Sequence, residues 1–475
     1  MEGYIVKDPL EKDRSNYHIC LIARTNKGRR QLNKASSSAN RNGYYYKPRL
    51  FLDDLLKISP DDIYITTACV AGIIRDDDSI NDIFIPLMKH FKSSLFLEVQ
   101  AHSHTKQVEH NKKVLELYEK YKDTYEISII SANDSHYIHP EDSKKRETLL
   151  SGKKIKYDDE DSFILDYPHI NTLVERYEKQ GVLSNEMIIL SITNTNIFAL
   201  CDDIDINFDP KMPSLHKGKS EEEKFKILRE LSYSNFEKIK IEDGIADKDL
   251  PKYHKEIEDC LKVVEDTSVM HTSDYFILDY HIVKDAIEKY GGILTRSGRG
   301  SCGAFYLNRL MGLTQLDRFT TEIPIYPDRF MSVARTLENH SYPDIDLNVV
   351  AQEPFVRASK DYLGELGCLP MMAYGTMQIS ESFRNICRSM GMEFDDFNEV
   401  AKNIDGYRND KKWKDIIAQA EEMSGTIVSA SIHPCSYLLF DGDIEEELGI
   451  VKLGENYCTI ITSDEADTWK YLKND

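Results

Sequence analysis

The chain has 475 residues, enough for two to four domains with their own cores, and its 60 basic against 81 acidic residues leave a net charge of −21. That balance excludes an undifferentiated basic nucleic-acid binder and leaves room for a local basic groove, for which Arg296, Arg299, Arg309, Arg384 and Arg388 are candidates. No apolar run is long enough for a membrane-spanning helix, and the nine cysteines form no CxxC pair, which argues against a zinc ribbon or a disulfide framework.

In chain order, strand-like segments at 17–23, 63–67, 95–99 and 127–131 alternate with helical patterns such as 108–121, which predicts α/β units. Residues 167–201 read as mostly helical. Pro210 and Pro213 mark a linker and a boundary near residue 210. A polar helix follows Ser220, with Leu228, Leu231 and Phe236 near helical spacing. Two amphipathic helices over 254–290 are expected to flank Asp274-Tyr275-Phe276. A glycine-rich loop, Ser297-Gly298-Arg299-Gly300-Ser301, precedes a helical run at 304–310. Residues 377–423 read as a separate helical subdomain, and strand character returns at 427–429, 437–440 and 457–462.

Two features carry chemistry. In Pro343-Asp344-Ile345-Asp346-Leu347, a strand would project both carboxylates from one face and Ile345 from the other. Neighbouring carboxylates repel unless a cation lies between them, and hard oxygen ligands suit Mg²⁺. Asp-x-Asp also recurs at Asp203-Ile204-Asp205 and Asp441-Gly442-Asp443, so alone it is weak evidence and reads first as a solvated acidic strand or turn. The upstream loop distinguishes the first copy. Gly298, Gly300 and Gly303 permit tight turns that aim N–H groups at an anion, Ser301 adds a hydroxyl, and Arg299 adds a fork suited to phosphate. An ordinary turn has the same composition.

These motifs, with Asp328-Arg329-Phe330, Ala373-Tyr374-Gly375-Thr376-Met377, Phe383-Arg384-Asn385 and Ile432-His433-Pro434-Cys435-Ser436, resemble the bacterial C-family replicative polymerases, the DNA polymerase III alpha subunits and their phage forms. The resemblance runs over essentially the whole chain. It implies an α/β multi-domain fold: a truncated PHP-type (polymerase and histidinol phosphatase) α/β barrel over 1–210, followed by a polymerase-beta-like nucleotidyltransferase palm over 211–375 and 428–475, with an inserted helical thumb over 376–427. It implies two Mg²⁺ ions held by Asp344, Asp346 and Asp475, the last from the terminal Leu472-Lys473-Asn474-Asp475. Arg299, Gly300, Ser301, Arg329 and Lys473 would then meet the nucleotide phosphates. In the PHP part, Glu2, His18, Cys69, Asp134 and His136 match the last five of nine family metal ligands, which implies a depleted site for Zn²⁺ or Mn²⁺. His102-Ser103-His104 reads as a surface pair.

The implied activity is DNA-directed addition of dNTPs to a primer 3′-hydroxyl, on primer-template DNA, in the cytoplasm of a bacterial host cell and with no membrane partner. The first PHP ligands and everything beyond the third aspartate have no counterpart, so the expectation is a split or truncated gene. Its product would need a C-terminal polymerase half carrying the fingers and the contact to a sliding clamp. The alternatives are a PHP metallophosphoesterase and a non-catalytic half of a split polymerase.

Overall fold

The computed structural model describes residues 1–12, 14–153, 155, 163–295, 300–323, 325–340 and 342–474. The chain divides into two units, Met1–Asp205 with Tyr374–Ala430, and Ile206–Ala373 with Ser431–Asp475.

The first unit is built on β1 (Glu2–Ile5), β2 (Tyr17–Ala23), β3 (Ile63–Thr66), β4 (Leu95–Gln100) and β5 (Ser128–Ala132), in the order β1-β2-β3-β4-β5. The first two pairings are antiparallel, and β3–β4 and β4–β5 are parallel. β3 and β4 are buried along their whole length, as parallel interior strands covered on both faces must be. Alternate residues serve different layers. Ile63, Ile65, Leu95, Leu97 and Ile129 join the helices Asn26–Arg41 and Thr105–Tyr125 in one core. Tyr64, Phe96 and Ile130 pack with Ile197 and Phe198 on the opposite face. The sequence led to a truncated barrel here, but the described residues contain no closed barrel. After β5 the chain continues into helices, and no later strand of this unit returns to pair with β1.

Within the same unit the helices Ile379–Ser389, Phe394–Lys402 and Lys414–Met423 enclose Phe383, Phe397 and Trp413 in a core of their own. Leu149, on the helix Ser143–Gly152, packs against it.

The second unit is helical on one side of a small sheet. The helices Glu221–Glu242, Leu250–Asp266, Thr272–Tyr290 and Glu353–Leu363 supply much of the main core, which includes Phe236, Ile257, Phe276, Phe305, Phe330 and Ile345. Strands β6 (Cys368–Thr376) and β7 (Ile427–Leu439) carry the chain out of this unit and back. The hairpin β8 (Ile450–Leu453) and β9 (Asn456–Thr459) follows, then β10 (Leu472–Asn474), giving a sheet ordered β10-β7-β6. Neighbouring residues again part company: Cys368, Leu439 and Leu472 enter the main core, whereas Leu369, Leu438 and Tyr471 enter a second one with Ile450 and Ile461.

Three local expectations change. Asp274-Tyr275-Phe276 lies inside the helix Thr272–Tyr290 instead of between two helices. Asp274 sits in its first turn, where a carboxylate complements the helix dipole, and it pairs with Lys224 at 2.7 Å. The segments 427–429 and 437–440 are largely one strand, β7, which runs through Pro434. β10 pairs only with Tyr437–Leu439, so Pro434 removes no hydrogen bond from that ladder. The residues around Asp344 lie outside any named strand.

Candidate active site

Tyr342 to Asn348 lies outside any helix or strand and is held at both ends. At the start, the Tyr342 ring stacks on Tyr275, centroids 5.8 Å apart and 11° from parallel. The Tyr342 hydroxyl donates to Met270 O at 2.7 Å, and the Tyr275 hydroxyl donates to Pro343 O at 2.6 Å. At the far end, Thr295 N donates to Asn348 O and Val350 N to Ile293 O, at 2.8 and 3.0 Å. Between these anchors Ile345 and Leu347 are buried, Asp344 is exposed and Asp346 is half-buried. The in–out alternation expected of a strand is therefore present, although the aspartates lie outside any named strand.

The glycine loop meets this segment. Arg296 and Arg299 lie outside the described residues, but Gly300 and Ser301 are described. Gly300 has φ +60°, and a Cβ there would fall 1.9 Å from Asp346 Oδ2. Only a residue without a side chain fits both that backbone and that approach. The loop is locked behind by Ala304 N donating to Ser301 O at 2.9 Å and by Asn308 Nδ2 donating to Cys302 O at 2.8 Å. Burial, then Asp346, then Asp279 push the Cys302 thiol up to about 12, so it stays a neutral wall of the site.

β10 brings the third element. Its register against β7 sets Lys473 opposite Leu438, and Lys473 Nζ lies 3.8 Å from Asp344 Oδ1 and 2.7 Å from Asp467 Oδ2. Asp344 and Lys473 line one small cleft with Tyr342, Asp467 and Lys470. Asp475 lies outside the described residues. Arg329 is exposed at the end of the turn Pro327–Arg329, and among the described residues no hydrogen bond or ion pair joins its side chain to the aspartates. Arg309 is committed elsewhere, holding both Asp243 oxygens at 3.0 Å. Arg384 and Arg388 belong to the other unit and make local bonds to Ser380 O and Asn385 Oδ1.

The other Asp-x-Asp copies have local roles. Asp441 accepts from Ser214 N and pairs with Lys217, each at 3.1 Å, and Asp443 caps the turn of helix that follows it. Asp203 and Asp205 bond Asn26 through their backbones. Asp346, which Gly300 approaches, and Asp344, 3.8 Å from the Lys473 ammonium, each offer hard carboxylate oxygens of the kind that suit a divalent cation.

In the first unit, Glu2 on β1 and His18 on β2 meet with Glu2 Oε1 3.1 Å from His18 Nδ1, and Cys69 Sγ lies 3.6 Å from the same nitrogen. The turn that presents Cys69 needs Gly72, where a Cβ would lie 2.0 Å from Thr67 O. His18 N donates to Ala71 O, tying that turn to β2. Burial holds the His18 imidazole below its ordinary value, with Glu2 pulling the other way, and pushes the Cys69 thiol up to about 11. Asp134, with φ +52°, is exposed, and His136 bonds Asp134 O through Nδ1 at 2.8 Å. Sequence reasoning missed Cys20 and Glu98, two further acidic or soft groups on β2 and β4. The Glu98 carboxyl is raised by burial and bonded by Thr66 and Gln100 at 2.6 and 2.9 Å. His102 is buried beside Phe163 instead of lying on the surface.

Among the described residues, Glu221, His271 and Asp274 bring three donor atoms within 4.8 Å of one another. Lys224 Nζ already sits there, 2.9 Å from Glu221 and 2.7 Å from Asp274, so a protein cation fills the place a metal would take.

Comparison with known proteins bears on this geometry. The family model described as the bacterial DNA polymerase III alpha NTPase domain matches residues 226–475, more than half of the chain. The chain is similar to the DNA polymerase III subunit alpha of Aquifex aeolicus, 27% identical over 417 residues, which cover 82% of this chain and 34% of that protein. It is also similar to the subunit of the same name from Chlamydia trachomatis, at 24% identity over 90% of this chain and 39% of that one. A DNA-directed DNA polymerase of Bacillus phage SPbeta is 23% identical over 85% of this chain and 35% of its own length. The chain thus spans little more than a third of these relatives. With the family model covering the glycine loop, both aspartates and β10, the chain belongs to the bacterial DNA polymerase III alpha family.

Proposed function

We propose that the chain is a catalytic portion of a replicative DNA polymerase, a nucleotidyltransferase that adds dNTPs to a primer 3′-hydroxyl on primer-template DNA. The observation that carries this reading is the approach of Gly300 to the Asp346 carboxylate, which joins a phosphate-type loop to a metal-type carboxylate pair. Asp344 and Asp346, with Asp475, would hold two Mg²⁺ ions. Bound there, the ions would acidify the primer hydroxyl and brace the departing pyrophosphate. Gly300 and Ser301 offer backbone N–H and hydroxyl donors to the triphosphate, and Arg299 and Arg329 supply guanidinium forks. Lys473 offsets carboxylate charge beside Asp344.

In the same reading, 1–210 is a PHP-type domain, 211–375 and 428–475 form the palm, and 376–427 is a thumb. Glu2, His18, Cys69, Asp134 and His136 form a depleted, structural Zn²⁺ or Mn²⁺ site. The remainder of a polymerase, with fingers and clamp contact, would act as partner.

The test is Mg²⁺-dependent extension of a labelled primer by the chain alone and with the region that follows residue 475 in its longer relatives. Asp346→Ala is expected to lower incorporation by about 10²-fold or more, the scale of losing one preorganised electrostatic contact. Extension unchanged in Asp344→Ala and Asp346→Ala would refute the assignment.

A further inference from the structure

Asp279 is 1% exposed in the middle of the helix Thr272–Tyr290. The Asn474 side-chain amide donates to its Oδ1 at 2.9 Å. The second oxygen of each planar group, Asp279 Oδ2 and Asn474 Oδ1, is buried with no hydrogen-bond partner among the described residues. No lysine, arginine or histidine pairs with this carboxyl there. An ionised carboxylate so placed carries a heavy desolvation penalty, and two acceptor oxygens cannot satisfy each other. A carboxylic acid and a primary carboxamide, in contrast, have complementary edges. A single proton on Asp279 Oδ2, donated to Asn474 Oδ1, gives both orphaned atoms a partner.

We propose that Asp279 is carried as the neutral acid in a reciprocal, two-hydrogen-bond clasp with the Asn474 carboxamide, and that this clasp seats β10 so that Lys473 reaches Asp344. β10 is three residues long and offers a short ladder to β7, so a side-chain clasp at its last residue weighs heavily in holding its register. Asp279 is then a positioning residue. Its consequence for nucleotidyl transfer rests on the polymerase reading, whereas the clasp stands on geometry alone.

Burial pushes the Asp279 carboxyl up to about 7, with the Asn474 hydrogen bond pulling it down. Its titratable neighbours Tyr275 and Cys302 are themselves held neutral by burial. The Asp344 and Asp346 carboxylates act on Tyr275 and Cys302 respectively, and raise both. The folded-state value lies above the unfolded 3.8. The contribution of the neutral clasp is therefore fully present below that unfolded value and is lost as pH rises through about 7.

The experiment is hydrogen exchange of the peptide carrying Leu472–Asn474, corrected for intrinsic rate, at about pH 5.5 and about pH 8.5. Wild-type protection is expected to fall roughly tenfold between the two. Asp279→Asn keeps both hydrogen bonds without a titrating group, so its protection should stay high at both pH values. Asn474→Leu should be weakly protected at both. Wild-type protection that does not change with pH, or the same loss in Asp279→Asn, overturns the proposal. Infrared difference spectra of the wild type serve if a variant does not fold: no carboxyl losing its proton between these pH values would equally overturn it. No readout needs DNA, nucleotide or Mg²⁺, so failure here is separate from failure of the polymerase assignment.

Discussion

At Gly300 two demands coincide: a left-handed backbone, and an approach to Asp346 too close for any Cβ. Alanine would cost about 1–2 kcal/mol in backbone strain and would also displace the Asp346 carboxylate. Gly300→Ala is therefore expected to weaken Mg²⁺-dependent dNTP binding by at least about tenfold, measured by titration, while the melting temperature moves by only a few degrees. This much of the site was legible in the sequence, because glycine, serine and paired aspartate residues advertise their chemistry wherever they fold. Asp279 and Asn474 were not legible. A lone acid within Tyr275-Phe276-Ile277-Leu278-Asp279-Tyr280 is a signal of a buried carboxyl, but nothing local to it names a partner nearly two hundred residues away.

Among the elements, the helix Glu221–Glu242 is fastened to the helix Thr272–Tyr290 by Lys224, whose ammonium touches Glu221 and the buried Asp274. Ser214 Oγ donates to Asp274 as well, at 2.6 Å. Lys224→Met would leave Asp274 buried beside a second acid with no cation. The expected loss is about 3 kcal/mol, since removing one partner of a buried pair strands the other; urea denaturation would measure it. The capped helix at Ser220 and the strands β2 to β5 could be read from pattern alone, for caps and alternation are local properties. The open sheet and the single long β7 could not, because strand partners are chosen by tertiary packing.

Across the whole molecule the nine cysteines remain free thiols, eight of them buried or half-buried and Cys435 exposed. Cys435 lines a cavity of about 210 Å³ with Leu347, Val349, Phe355, Tyr437 and Asn474. Burial pushes Cys20, Cys260, Cys302 and Cys368 up to about 12, which suppresses their thiolates. An aromatic disulfide reagent is thus expected to titrate one fast thiol in the native protein and nine after unfolding. Several fast thiols would show that these interiors are open.

The path of the chain through its two units also has a temporal side. The first unit begins at Met1 but is completed only by Tyr374–Ala430, and the second, begun at Ile206, waits for Ser431–Asp475. On a ribosome adding about 5–20 residues per second, the leading sheet stands for roughly 10–45 s before the helices that complete its unit emerge. In that interval Leu149, on the helix Ser143–Gly152, waits for the separate helical core against which it packs.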